Sequence, residues 1–113
     1  MAVTWQIIQP DRLVIARGEG MISLQDVERY LDAVVVADAL PYAKIFDLGT
    51  GNWTLTDTDM LVLGARIRAY PALAKFGPLA IVAASDTQNQ QAQMFATLAD
   101  VERPLQIFRT EEF

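Results

Sequence analysis

Between Gly77 and the pair Ser85-Asp86 runs Pro78-Leu-Ala-Ile-Val-Ala-Ala84, a stretch without a polar side chain. It is too short for a helix bracketed by such breakers, so it reads as a β-strand. The lack of apolar/polar alternation predicts that this strand is covered on both faces and lies at the centre of a sheet. A strand of that kind constrains the rest of the chain, because parallel neighbours need crossover connections, usually helical.

Those connections are legible. Val3, Trp5 and Ile7 alternate with Thr4 and Gln6, Pro10-Asp11 punctuates, and Leu13-Val-Ile15 resumes before Gly18-Glu-Gly20, which predicts a β-hairpin. Ser23 with Asp26 three positions on is a helix-start pattern; Leu24, Val27, Leu31, Val34 and Val35 then recur at helical spacing, so a helix is expected over 24–38, before Pro41. Lys44-Ile-Phe-Asp-Leu48, closed by glycine, reads as a third strand. Thr56 with Asp59 repeats the helix-start pattern, and Met60, Leu63, Ile67 and Tyr70 mark the buried stripe of a helix stopped at Pro71. Ser85 or Asp86 caps a third helix carrying Ala92, Phe95, Leu98 and Ala99 on one face, and Leu105-Gln-Ile-Phe108 is the last strand. The expected fold is α/β: a single mixed, mostly parallel sheet with right-handed crossover helices, in the order β-β-α-β-α-β-α-β, with the first strand antiparallel to the second. One domain is expected over residues 1–113, since no repeat, linker or composition shift interrupts the pattern.

Composition narrows the chemistry. With 52% apolar residues and only six glycines and five prolines, the chain is a globule and not a disordered segment. No cysteine and no histidine is present, which removes disulfides, thiolate nucleophiles, Cys/His metal sites and imidazole catalysis. Acid–base work would fall to Asp, Glu, Lys, Tyr or Arg, and a metal would need oxygen ligands, as Mg²⁺ or Ca²⁺ accept. Nine basic against fourteen acidic residues give a net charge of −5 with no basic run, which disfavours nucleic acid. No apolar run approaches the ~20 residues of a membrane span, so a cytoplasmic protein is expected.

The element order, with Phe46-Asp-Leu48 closing the third strand, Leu79-Ala-Ile-Val-Ala-Ala-Ser-Asp86 at the fourth, Gln93-Met-Phe-Ala-Thr-Leu-Ala-Asp100 in the third helix and Ile107-Phe-Arg-Thr-Glu-Glu-Phe113 at the end, resembles the SpoIIAA-like family, related to the STAS domains of anti-sigma factor antagonists. The resemblance covers nearly the whole chain. It implies a small regulatory or binding domain without enzymatic activity or cofactor. In phosphorylated STAS switches an Asp-Ser-Ser/Thr-Gly-Leu motif opens the second helix, and Asp57-Thr-Asp-Met-Leu61 matches it here, which makes Thr58 the candidate phosphoacceptor. Asp59 and Met60 replace the small residues that follow the acceptor, and the added carboxylate opposes a dianionic phosphate. Asp86 to Gln93 reads DTQNQQAQ, without the Gly and Arg or Met that many relatives carry there.

In an open α/β sheet, ligands bind at the carboxyl ends of the strands. The candidate ligand or partner surface on that edge comprises Asp47, Thr50, Asn52, Thr58, Asp86 and Gln88. Gly49-Thr-Gly-Asn-Trp53 reads as a turn, with Gly49 and Gly51 permitting positive φ and Trp53 packing back on the core; a phosphate cradle would want a nearby Lys, and the nearest, Lys44, sits in the preceding strand. Thr56, Asp57, Thr58 and Asp59 read as helix-cap chemistry. The leading expectation is a domain that acts through a protein partner or small ligand at this edge, with no metal bound. The rival is a small metal-assisted hydrolase using Asp47, Asp57 and Asp59. The first strand should be a sheet edge, so Trp5 or the rest of the hairpin's apolar surface is a candidate homodimer contact.

Overall fold

The computed structural model of the protein describes residues 2–112. Its elements are β1 (Val3–Ile8), β2 (Leu13–Gly18), β3 (Met21–Ile22), α1 (Leu24–Val36), β4 (Ala43–Asp47), β5 (Asn52–Trp53), α2 (Asp57–Ala69), β6 (Leu79–Ala83), α3 (Asp86–Leu98) and β7 (Leu105–Arg109), with single 3₁₀ turns at Tyr70–Ala72 and Thr110–Glu112. Five strands form one mixed sheet in the order β1-β2-β4-β6-β7. β1 runs antiparallel to β2, and the other three neighbour pairs are parallel.

Two expectations are corrected. The centre of the sheet is β4, not the apolar strand β6, which is fourth of five. The simple β-β-α-β-α-β-α-β order also lacks β3 and β5, which pair in parallel with each other, Met21 opposite Asn52 and Ile22 opposite Trp53. Two-residue strands carry no periodicity for a sequence to display. Both lie beyond the carboxyl ends of β2 and β4, so they extend that edge of the molecule.

All three helices pack on one face of the sheet. Val14 and Ala16 from β2, Lys44 and Phe46 from β4, and Leu79, Ile81 and Ala83 from β6 point into the core, which also takes Val27, Leu31 and Val34 from α1, Leu63 and Ile67 from α2, and Ala92 from α3. The opposite face carries Ile15, Ile45, Ala80 and Gln106 in one register row and Arg17, Asp47, Val82 and Phe108 in the next. Val82 is buried there by its strand neighbours and not by a covering helix. The apolar run of β6 therefore reflects one face packed on helices and one face shielded within the sheet.

Local chemistry sets the helix ends. Ser23 Oγ accepts from the Asp26 N–H while the Asp26 carboxylate accepts from the Ser23 N–H, a capping box at the start of α1. α1 ends at Val36, two residues earlier than expected, because Asp38 adopts φ 55°. The Asp38 N–H then donates to Val35 O and the Ala39 N–H to Val34 O, a Schellman closure. Thr56 and Asp59 form the equivalent box on α2, and Ser85 Oγ accepts from Gln88 N–H on α3. A chain of ring contacts, Trp5 to Tyr30 at 6.0 Å, Tyr30 to Phe46 at 5.1 Å and Phe46 to Trp53 at 5.4 Å, ties the edge strand through α1 to β4 and β5.

α2 and α3 approach closely at Gly64, where a Cβ would lie 2.6 Å from Leu98 O and 2.9 Å from Leu98 C. The obstacle is backbone, which cannot swing aside as a side chain can. Ala is the better helix former by about 1 kcal/mol, but forcing extra volume into such a contact costs about 1–3 kcal/mol. Gly64→Ala is therefore expected to lower stability in urea denaturation; a gain in stability would show that the two helices do not cross this closely.

Candidate functional site

The carboxyl edge is built from the segments that follow β2, β4, β6 and β7. Asp47 ends β4, and its Oδ1 accepts from the Gly49 N–H at 2.8 Å while Oδ2 faces Arg17 Nη1 at 3.5 Å. Arg17 also approaches Glu19 at 3.8 Å. Gly49 holds φ 59°, as expected of a turn glycine. Gly51 does not have positive φ, contrary to expectation; it is small because a Cβ there would collide with Ile22 Cδ1 and crowd Leu48 O at 3.0 Å. Trp53 packs back on Phe46 and its indole N–H points at Leu48 O at 3.4 Å.

Gln88 organises this edge. It is buried on the first turn of α3; its Oε1 accepts from the Ala84 N–H at 2.7 Å, and its Nε2 donates to Gly49 O and Gly51 O, both at 3.1 Å. Its amide hydrogens and its oxygen are thus used to lash the β4–β5 turn to the start of α3. Gln91, one turn on, donates to Trp53 O at 2.9 Å. The amide-rich DTQNQQAQ segment is therefore partly a structural clamp, a role that the sequence does not announce because its partners are backbone carbonyls of a turn far away in the chain. Asp86 pairs with Arg109 Nη1 at 2.7 Å, which raises the Arg109 guanidinium pKa above its ordinary value.

The six surface residues read from the sequence separate into two groups. Asp47, Asp86 and Gln88 are engaged within the chain. Thr50, Asn52 and Thr58 are exposed. Thr58 occupies the second position of α2, after the capping residue Thr56, whose Oγ1 accepts from the Asp59 N–H at 3.1 Å while the Asp59 carboxylate accepts from the Thr56 N–H at 3.1 Å. Asp59 is thereby committed to the cap and Asp47 to the turn. Among the described residues, no three acidic side chains gather where they could hold a metal ion. No helix among them is long and apolar enough to cross a membrane.

Comparison of the chain with protein-family models finds no match, and neither do searches of curated proteins and of solved structures.

The two threonines at the start of α2 have separable roles. Thr56→Ala removes the capping oxygen and is expected to cost about 1 kcal/mol in urea denaturation. Thr58→Ala is expected to stay within about 0.5 kcal/mol of the parent, as for a surface substitution away from a cap. The reverse ranking would show that the hydroxyl of Thr58 is the one the helix needs.

Proposed function

We propose that the chain is a non-enzymatic, STAS-like regulatory or binding domain that acts by contact with a protein partner at the carboxyl edge of the sheet. One observation carries this reading. Thr58, Leu61 and Val62 stand at positions i, i+3 and i+4 of α2 and so share a face, and Leu61 and Val62 are 56% and 46% exposed. Helices of globular domains usually direct their apolar residues to one stripe. α2 buries Met60, Leu63 and Ile67 on one side and presents Leu61 and Val62 on the other. Adjacent large apolar side chains on one exposed helix face with the Thr58 hydroxyl suit a protein contact better than a small polar ligand, because Gln88 and Gln91 already spend their amides on backbone carbonyls. The metal-assisted hydrolase draws less support, since Asp47 and Asp59 are each held in local structure.

Unmodified Thr58 suits the contact role. A phosphate on it would be attracted by the N-terminus of α2 and repelled by Asp57 and Asp59, so modification would tune partner affinity more than fold. In pull-downs from the native host, a specific partner captured by the parent protein is expected to be lost with Leu61→Asp/Val62→Asp, a change confined to exposed positions. Identical captures would remove the carboxyl-edge reading.

A second copy of the chain is the occupant we propose for the open sheet face. Trp5, the first candidate for that role, packs on Tyr30 on the helix side, which leaves Ile8, Leu13 and Ile15 of the hairpin, with Ile45 beside Ile15 in register. Ile15 is 36% exposed. Light scattering at high micromolar concentration is expected to give a dimeric mass that Ile15→Lys reduces to the monomer; a monomeric mass for the parent would eliminate the second copy.

A further inference from the structure

Between β4, β6 and the three helices the core contains a cavity of about 90 Å³, which runs from Lys44, Phe76 and Arg103 at the amino end of the sheet to Trp53, Leu55 and Gln91 at the other. Its walls are almost wholly apolar, with Val27, Leu31, Val34, Leu63, Ile67 and Phe95 among them. Gln91, whose amide donates to Trp53 O, reaches it at the carboxyl end; the other polar side chains in its wall are Tyr30, Lys44 and Arg103. Their disposition does not fit an ordinary core. Tyr30 is 3% exposed, and among the described residues its hydroxyl has no hydrogen-bond partner. Arg103 Nε is likewise buried without an acceptor. Lys44 is buried and donates to Leu40 O at 2.5 Å and Tyr42 O at 2.8 Å, which leaves one of its three N–H groups. Both cations lie near the ring of Phe76, Arg103 Cζ at 4.5 Å and Lys44 Nζ at 5.4 Å from its centroid.

Among the described residues, neither Lys44 nor Arg103 makes an ion pair. Buried charges are ordinarily paired, because leaving one uncompensated away from water is costly. The strain shows in both groups. Burial, reinforced by the nearby Arg103, lowers the Lys44 pKa to about 8, and burial lowers that of Arg103 to about 10. Both still carry charge at neutral pH. An unpartnered hydroxyl, an unpartnered guanidinium N–H and two uncompensated positive charges thus converge at one end of an apolar cavity.

We infer that this cavity binds a small amphipathic carboxylate, with its anionic head accepting from Tyr30, Arg103 and Lys44 and its aliphatic tail filling the apolar space. A single carboxylate supplies the missing counter-charge and several acceptor sites. A cavity of ~150 Å³ accommodates the six carbons of benzene, so this one suits a tail of about three or four carbons. A compact, wholly polar anion such as phosphate would leave the apolar walls unfilled. Lys75, Val101, Glu102 and Pro104 bound an outer depression that shares Phe76 and Arg103 with the cavity, so the stacked Arg103–Phe76 pair stands between solvent and the interior. The ligand site is separate from the partner surface on α2, and each can fail without the other.

Pentanoate and its neutral counterpart 1-pentanol test the inference, with inorganic phosphate as the control, by calorimetry and by amide chemical shifts of the full chain at neutral pH. Pentanoate is expected to bind at least about tenfold more tightly than 1-pentanol, a difference of about 1.4 kcal/mol. The shifts should centre on Tyr30, Lys44 and Leu63. Tyr30→Phe, which removes only the oxygen, is expected to weaken pentanoate by about 2- to 10-fold and leave 1-pentanol unchanged. Arg103→Met should abolish the preference for the carboxylate; if that variant does not fold, Tyr30→Phe decides. No binding of pentanoate at low millimolar concentration, equal binding of the alcohol, tighter binding of phosphate, or shifts confined to the carboxyl edge would each overturn the inference.

Discussion

The handedness of the crossover connection governs this structure. From β2 onward each strand lies parallel to its predecessor in the sheet and one place further along, so β2, β4, β6 and β7 advance in a single direction. A right-handed connection between parallel strands puts its helix on one particular face, and three such connections made in the same direction put all three helices there. One apolar core follows, shared by α1, α2 and α3. The other face of the sheet is left without a helical cover, a consequence of topology and not of composition.

The same progression separates the two ends of the sheet chemically. At the carboxyl end the connections must leave the strands and enter helices, and polar groups gather to terminate them. Gln88 joins the turn after β4 to the start of α3, Asp47 holds Gly49, and Ser23, Thr56 and Ser85 each cap a helix. Most of the polarity on that edge is therefore consumed in building it, and what faces outward is the exposed remainder: Thr50, Asn52, Thr58 and the apolar pair on α2. At the amino end, two of the segments in which helices return to strands bring Phe76 and Arg103 together beside Lys44 of β4. Charge there is largely buried, and among the described residues no carboxylate pairs with it.

Period and punctuation in the sequence were sufficient for the larger elements. The hairpin, the three helices and the β4, β6 and β7 strands are legible because their apolar spacing and their Ser, Thr, Gly and Pro boundaries act within a few residues. The capping boxes at Ser23 and Thr56 are of the same kind, since both partners lie three positions apart. The part of the candidate site that was legible was correspondingly local: Thr58 on the first turn of α2 and the glycine turn after β4.

What only the tertiary structure decided depends on partners distant in the chain. That β6 is not the central strand follows from the direction of successive crossovers, which an apolar run cannot encode. The pairing of β3 with β5 joins residues 31 positions apart through two rungs, too few to leave a pattern. Gln88 reads as a solvated amide until Gly49 and Gly51 are brought beneath it, 39 and 37 residues away. Lys44 stands at an inward position of β4 with Phe46 and Leu48, a parity visible in the sequence, but its meaning rests on Tyr30 and Arg103, which only packing brings near. Local propensity acts over one turn or one strand, so the sequence by itself determined the elements; electrostatics and close packing act through space, so the site came from the fold.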